Sequence, residues 1–474
     1  MAMKNEVAVF LLSALAIVIL AAGGCGGGGG SSDSNAPFTP EEVKYSTGIL
    51  DESFGTGGIV TTPVGETYDY ARAVAVQNDG KIVVAGSAGT FIDALDPDED
   101  FALVRYNIDG TLDTSFGSDG KVTTTFMAEE KEGMFPLPLL REHAAAVSIQ
   151  NDGKIVVAGT SQKGMDDTYD FALARYNAEG TPDTSFGSAG KVRTSIGPLS
   201  ALATDMAIQE DGKIVVTGYA WNGGKFDFAV VRYNSDGSPD TTFGSGGIVT
   251  TPIGGFFDCP YAIAIQEDGK IVIAGYSDRR IDIDDTSDCD FAVVRYNSDG
   301  SLDKTFDSDG KLTTPGGQFS YDAAFGTVVQ KDGKIVIAGP STSKGNLAYA
   351  LLRYNGSGTL DDTFGTGGIA KVLIDSHAFH DGCALSLQED GKLVIATSLY
   401  NGTDFDFALL RFSSDGILDD AFGTDGIVTT PVGDSDEVAN ALAILKDGTI
   451  MVAGDALKET ESGVDTDFAV VRYR

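Results

Sequence analysis

From Leu50 onward one phrase returns seven times, and a chain built this way cannot fold as a few unrelated domains. Leu50-Asp-Glu-Ser-Phe-Gly55 recurs as LDTSFG at Leu112, PDTSFG at Pro182, PDTTFG at Pro239, LDKTFD at Leu302, LDDTFG at Leu360 and LDDAFG at Leu418. The copies are spaced 57–70 residues apart and fill residues 50–474. Length alone, at about 150 residues per domain, would suggest three domains. Repetition replaces them with one array in which each copy completes its neighbour.

Each copy reads as four short strands. In the first, Ile59–Thr62 and Ala71–Gln77 precede the tight-turn signal Asn78-Asp79-Gly80, and Lys81–Gly86 returns as a hairpin. Phe101–Tyr106 follows a polar loop, and Asn107-Ile-Asp-Gly110 turns the chain again. The strands are rich in Val, Ile, Thr and aromatics, and no segment carries helical periodicity. The expected fold is an all-β, seven-bladed propeller with four antiparallel strands per blade. A β-solenoid is the competing architecture, but it needs caps that the chain does not display. The first strand, 59–62, is unmatched, and the last blade (439–445, 449–454, 468–473) lacks a fourth strand, so the two are expected to close the ring.

The LDxSFG phrase, the QxDGKIVVAG hairpin of Gln77–Gly86 and the DFALxRYN phrase of Asp170–Asn177 together resemble the delta-60 repeat family of bacterial secreted and surface proteins. The resemblance covers essentially all of 50–474. It implies a β-propeller and brings no catalytic residues. Asp307, in place of the glycine of the fifth copy, and Leu347-Ala348-Tyr349, in place of its Asp-Phe start, depart from the pattern.

Residues 1–24 read as a signal peptide and 25–49 as a Gly/Ser-rich tether. Val7–Ala22 is an apolar run short for a membrane span of ~20 residues. Ala22-Gly23-Gly24-Cys25 resembles a bacterial lipobox, with Ala22 where leucine is usual. The resemblance implies lipidation at Cys25, and Gly26 after it favours the outer membrane or cell surface. An ordinary signal peptide or an uncleaved anchor is the alternative. The net charge of −36 excludes nucleic acid as a general partner and opposes adhesion of the body to anionic lipid.

Residues constant in every copy are expected to build blades. Arg105, Arg175, Arg232, Arg295, Arg353, Arg411 and Arg472 face Asp51, Asp113, Asp183, Asp240, Asp303, Asp361 and Asp419 as structural ion pairs. The Asn297-x-Asp299-Gly300-x-x-Asp303 type of phrase has a calcium-loop look that Asx-turns explain equally well. Function is then expected where copies differ. Both constant connections lie on one face of the ring, and the variable connections, including 87–100, 126–143, 276–290 and 455–467, share the other. There, Asp69, Glu142, Ala201, Asp258, Asp322, His380 and Glu437 occupy matched positions, predicting a carboxylate ring that favours cations. Tyr219, Trp221, Phe226, Tyr276 and Tyr400 add aromatic surface suited to sugars, peptides or cations. Phe135 sits in the apolar stretch Met134–Leu140, expected either to plug the mouth or to dock a protein. The competing reading of this face is a solvated acidic rim.

His377, His380 and Asp381 are the candidate metal ligands. No nucleophile elbow, phosphate-binding loop or CxxC occurs. Cys259 and Cys289 are expected to form a disulfide at one edge of the fourth blade in an oxidising compartment, and Cys383 to be buried alone. Two function classes remain. One is a non-enzymatic, monomeric, membrane-tethered propeller, without a cofactor, that binds a protein, peptide or glycan. The other is a lactonase-like propeller hydrolase with a divalent metal at the channel mouth.

Overall fold

A computed structural model describes residues 46–91, 97–126, 141–163, 168–278, 288–316, 320–343, 346–374, 382–460 and 463–474. Seven four-stranded antiparallel sheets form seven blades, numbered here in chain order from the inner strand Thr67–Val76. The other inner strands are Glu142–Ile149, Ala201–Ile208, Asp258–Ile265, Gly326–Val329, Cys383–Leu387 and Glu437–Ile444. Each touches the next, and the last touches the first, so the sheets close into a ring. No helix occurs among the described residues.

Both faces of each sheet are covered by a neighbouring blade. This is why the second and third strands are apolar without alternation: Ile155–Gln162 and Cys289–Tyr296 are buried from end to end. Five inner strands carry a β-bulge, as between Ala71 and Ala73 and between Ala439 and Ala441. Such bulges add local twist where the inner strands crowd together.

The constant residues join blades, as expected. Arg232 Nε donates to Asp240 Oδ2 at 2.8 Å, Nη1 reaches the Ser298 carbonyl of the next blade at 2.5 Å, and the guanidinium lies 4.6 Å from the Phe243 ring centre. The same three contacts recur around the ring, from Arg105 with Asp113, Ala178 and Phe116 to Arg411 with Asp419, Ser46 and Phe422. The ion pair is a single prong rather than a bidentate fork, because the second nitrogen serves the adjacent blade. The remaining Asp oxygen explains the D-x-[ST] spelling: Asp240 Oδ1 accepts from the Thr242 amide and hydroxyl. Asp109 likewise holds the Thr111 amide at 3.0 Å, so an Asx-turn accounts for the calcium-like phrase.

A second link joins the tyrosine of each RY pair to a threonine on the preceding blade's outer strand. Examples are Tyr106 to Thr62 at 2.8 Å, Tyr176 to Thr124 at 2.6 Å and Tyr473 to Thr430 at 2.9 Å. At the fifth-to-sixth junction both hydroxyls are missing together: Phe412 stands for the tyrosine and Val372 for the threonine. An unpaired buried hydroxyl costs about 1–3 kcal/mol, so the two losses compensate.

Ring closure uses the first strand, Ile59–Thr62, which pairs with Gly463–Tyr473. It also begins earlier than the strand. Ser46–Leu50 finishes the turn that Arg474 starts: Arg474 N donates to Ile49 O at 2.8 Å, matching Asn234 N to Ser238 O in the third blade. Arg472 then pairs with Asp51 at 2.6 Å and stacks on Phe54. Residues 46–49, assigned to the tether from sequence, therefore belong to the ring. Asp307, the one departure from glycine at its position, adopts a positive φ of 44°, which aspartate tolerates better than most residues.

Candidate functional site

The antiparallel path places the Gln-x-Asp-Gly hairpins and Asn-x-Asp-Gly turns on one face, and the loops entering each inner strand, with the second-to-third-strand hairpins, on the other. On that variable face the structure revises the expected carboxylate ring. Asp69, Glu142, Asp258, Asp322 and Glu437 are all buried. Each caps the loop that arrives from the previous outer strand. Asp69 accepts from Val64 N at 2.6 Å and Gly65 N at 2.9 Å, and Glu142 from Phe126 N at 2.7 Å. Asp258 accepts from Ile253 N and Ser277 Oγ, Asp322 from Gly316 N and Ser341 Oγ, and Glu437 from Gly433 N. Loop amides need acceptors once buried, and these acids supply them. They are loop fasteners, not an open ring of charge. Ala201 is buried too, and at its junction Asp170 is held instead by Lys163 at 2.6 Å and Arg193 at 3.5 Å.

Burial pushes Asp69, Glu142 and Glu437 up to about 7, although their amide donors oppose it. Neighbouring acids add to the rise: Asp465 and Asp467 for Asp69, Asp100 and Asp98 for Glu142, Asp406 and Asp404 for Glu437. Buried Asp455 is raised to about 6, against the pull of Arg72. The staple acids go the other way. Despite the opposing effect of their own burial, hydrogen bonds from Ser185 and Thr363, with Arg175 and Arg353 nearby, bring Asp183 and Asp361 down to about 2. The raised groups favour the protonated folded state, so their stabilisation is complete below about pH 4 and is lost as pH rises through 7. The lowered groups stabilise above about pH 4 and lose this as pH falls towards 2. Melting temperature is therefore expected to peak near pH 4–5 and to fall by pH 8. Glu437→Gln should flatten the alkaline fall, and an unchanged pH profile in that variant would refute the assignment.

The aromatic residues are also less open than expected. Tyr219 is buried, and Trp221 is half-buried against Phe226 at 4.8 Å and Phe256 at 6.3 Å. Phe257 stacks on Phe226, and a second group of rings, Tyr276, Tyr261, Phe325 and Tyr321, packs across the fourth and fifth blades. Tyr400, 43% exposed, is the most open of the predicted set. The stretches 87–100 and 455–467 are mostly hairpin. Ile82–Phe91 pairs with Pro97–Tyr106, and Ile450–Thr460 with Gly463–Tyr473 as far as Thr460. These two long hairpins belong to neighbouring blades, the first and the seventh. A cleft of about 370 Å3 opens on the seventh, lined by Thr61, Val432–Ser435, Leu457 and the Lys458–Asp467 ion pair.

The first blade's inner strand was legible as Ala71–Gln77, but the side chains that alternate at its start were overlooked. Tyr68, Tyr70 and Arg72 alternate along it, with the two rings stacked, Arg72 5.1 Å from the Tyr70 ring centre and 3.6 Å from Asp455. The period-two spelling Tyr-x-Tyr-x-Arg was the available signal. Beside it, His143 Nδ1 lies 2.9 Å from Glu99 Oε2, joining the second blade to the first blade's hairpin. Burial alone would raise Glu99, but His143, with Arg141 and Arg72, holds it below its ordinary value.

Cys259 and Cys289 are not joined. Both lie within strands, opposite Tyr276 and Asp278 of the strand between them. Two strand spacings, about 9–10 Å, exceed the roughly 4.4–6.8 Å that a disulfide spans. Burial raises the thiols of Cys259 and Cys383, which makes them poor nucleophiles. His377, His380, Asp381, Phe135 and Cys25 lie outside the described residues. Among the described residues, no group of three or more His, Cys, Asp or Glu gathers in a metal-sized arrangement.

The profile of a family described as a β-propeller domain of unknown function, DUF5122, matches residues 77–116, 150–186, 209–243, 266–306, 330–364 and 388–422. The chain belongs to a tandem β-propeller repeat family. Six matches against seven blades fit the closure, since the seventh blade's repeat unit is divided between residues 437–474 and 46–62. No curated protein matches the chain. Solved structures align with this chain at low identity. A catalytically inactive virginiamycin B lyase from Staphylococcus aureus, with quinupristin, is 11% identical over 87% of this chain and 98% of that one, at a TM-score of 0.46. Polysaccharide lyase Uly1 is 12% identical over 93% and 94%, also at 0.46. Chaetomium thermophilum Sqt1, bound to the N-terminus of a ribosomal protein, is 11% identical over 88% and 100%, at 0.40. At these values the likenesses carry nothing about activity.

Proposed function

We propose that this propeller is a non-enzymatic binding scaffold, exported and tethered through lipidated Cys25 in the cell envelope, that takes a protein, peptide or glycan partner on its variable face. The wording of its repeats supports placing it with the delta-60 repeat proteins. The observation that carries the reading is the asymmetry of the two faces. One face repeats the same turns and Arg–Asp–Phe staples blade after blade. The other differs at every blade, with long hairpins on the first and seventh and aromatic rings on the third to fifth. A rigid ring presenting unlike loops suits recognition better than a single reaction.

Capture from envelope extract or a glycan array by the full chain tests this. Trp221→Ala with Tyr400→Ala, and separately Phe135, Leu137, Leu139 and Leu140→Ser, should each weaken capture by at least tenfold, about 1.4 kcal/mol, if the altered residues touch the partner. Undiminished capture by both variants, at unchanged melting temperature, would sink the reading. A stoichiometric divalent ion in the purified chain would do the same and would favour the hydrolase.

A further inference from the structure

The turn that closes the ring also determines where the tether leaves it. Ser46 enters on the constant face: Thr47 N donates to Arg474 O at 2.6 Å, and Arg411 of the sixth blade reaches the Ser46 carbonyl. The lipidation candidate Cys25 is joined to this point by residues 26–45. Around the same point the constant face changes character. Ile417 on the sixth blade, Ile49 on the seventh and Ile108 on the first are 67%, 67% and 60% exposed. Ile417 and Ile49 occupy a turn position that holds Thr111, Thr181, Ser238, Ser301 and Thr359 in the other five blades. Ile108 occupies one that holds Ala178, Ser235, Ser298, Gly356, Ser414 and Ser46. The three large aliphatics thus stand on three consecutive blades, centred on the tether's exit, where the repeat otherwise uses small or hydroxyl side chains.

We infer that this arc, Ile417–Ile49–Ile108, rests on the zwitterionic lipid surface that holds Cys25, so that the constant face lies against the bilayer and the variable face points away from it. The inference rests on the lipid-anchor reading above. Single isoleucines on a surface are ordinary and bind lipid weakly. A Gly/Ser-rich stretch of this length, however, reaches roughly 25 Å and keeps the arc at an effective concentration of order mM beside the bilayer. Weak apolar contact is then sufficient to orient the ring, while the net charge of −36 disfavours anionic lipid as the surface.

The chain's single tryptophan, Trp221, lies on the opposite face and serves as the internal reporter. The full, lipidated chain is placed on phosphatidylcholine vesicles with and without brominated acyl chains. Ile417→Trp and Ile108→Trp, each combined with Trp221→Phe, should lose fluorescence roughly two-fold on brominated lipid, as expected for a side chain at the headgroup–acyl boundary. The unaltered chain should not. Flotation of the chain without quenching of either variant means the ring hangs free, and this overturns the inference while leaving the anchor intact. Quenching of Trp221 instead puts the variable face on the lipid and equally overturns it. Failure to float removes the anchor reading, and this inference with it.

Discussion

Deleting residues 46–62 is expected to abolish the folded monomer. The segment provides the seventh blade's outer strand, Ile59–Thr62, and the turn completing Arg474. It also provides three partners that sit far from it in sequence. Without Asp51, the buried Arg472 guanidinium loses its ion pair, a loss of about 3–5 kcal/mol. Without Phe54, wholly buried between the seventh and first blades, a cavity opens at a cost of about 3–5 kcal/mol. Without Ser46, Arg411 loses the carbonyl that joins it to the next blade. These terms are not additive, but the first two alone approach the ~5–15 kcal/mol that holds a typical domain. The deletion also exposes the edge of Gly463–Tyr473, an apolar strand able to pair with another chain. Size-exclusion chromatography should show oligomers or aggregate, and a peptide of residues 46–62 should restore a cooperative melt. A monomer melting within ~2 °C of the full chain, a shift of at most about 2 kcal/mol for a ring of this size, would show that the ring does not depend on this closure.

Arg232→Met is expected to cost about 3–5 kcal/mol, because it leaves the buried Asp240 carboxylate without its cation and the Ser298 carbonyl without its donor. The equivalent change at Arg353 should cost less. There Lys334 stands 3.2 Å from Asp361 and continues to neutralise it, whereas Arg232 is the one ion-pair partner that the described residues place on Asp240. Adding Asp240→Asn to Arg232→Met should recover part of the loss, since a neutral amide is cheaper to bury than an unpaired charge. Denaturant melts of the three variants test the order. Equal losses at 232 and 353 would mean that the lysine contributes nothing, and unchanged melting with lost partner capture would move the arginine from scaffold to binding surface.

Blade number, strand order and ring closure were legible in the chain because they depend on local patterns repeated at a fixed period. The LDxSFG, QxDGK and RYN phrases mark the same turns each time, and an unmatched strand at one end answers a three-stranded blade at the other. Even the coupled loss at Phe412 and Val372 was there to be read, since aligning the copies exposes both departures. The acids of the variable face were placed at the right position and given the wrong environment. Asp69 and Glu437 carry the spelling of exposed loop residues. Whether they meet water or loop amides depends on how the preceding blade's outer strand delivers residues 63–65 and 431–433, an approach with no period in sequence. The same holds for the exit of the tether, which belongs to the constant face only because Ser46 completes the turn that Arg474 begins at the other end of the chain. Period-two spelling and turn chemistry act over a few residues and specify a blade. Burial, electrostatic environment and the direction a face points arise where two blades meet, and only the assembled ring brings those partners together.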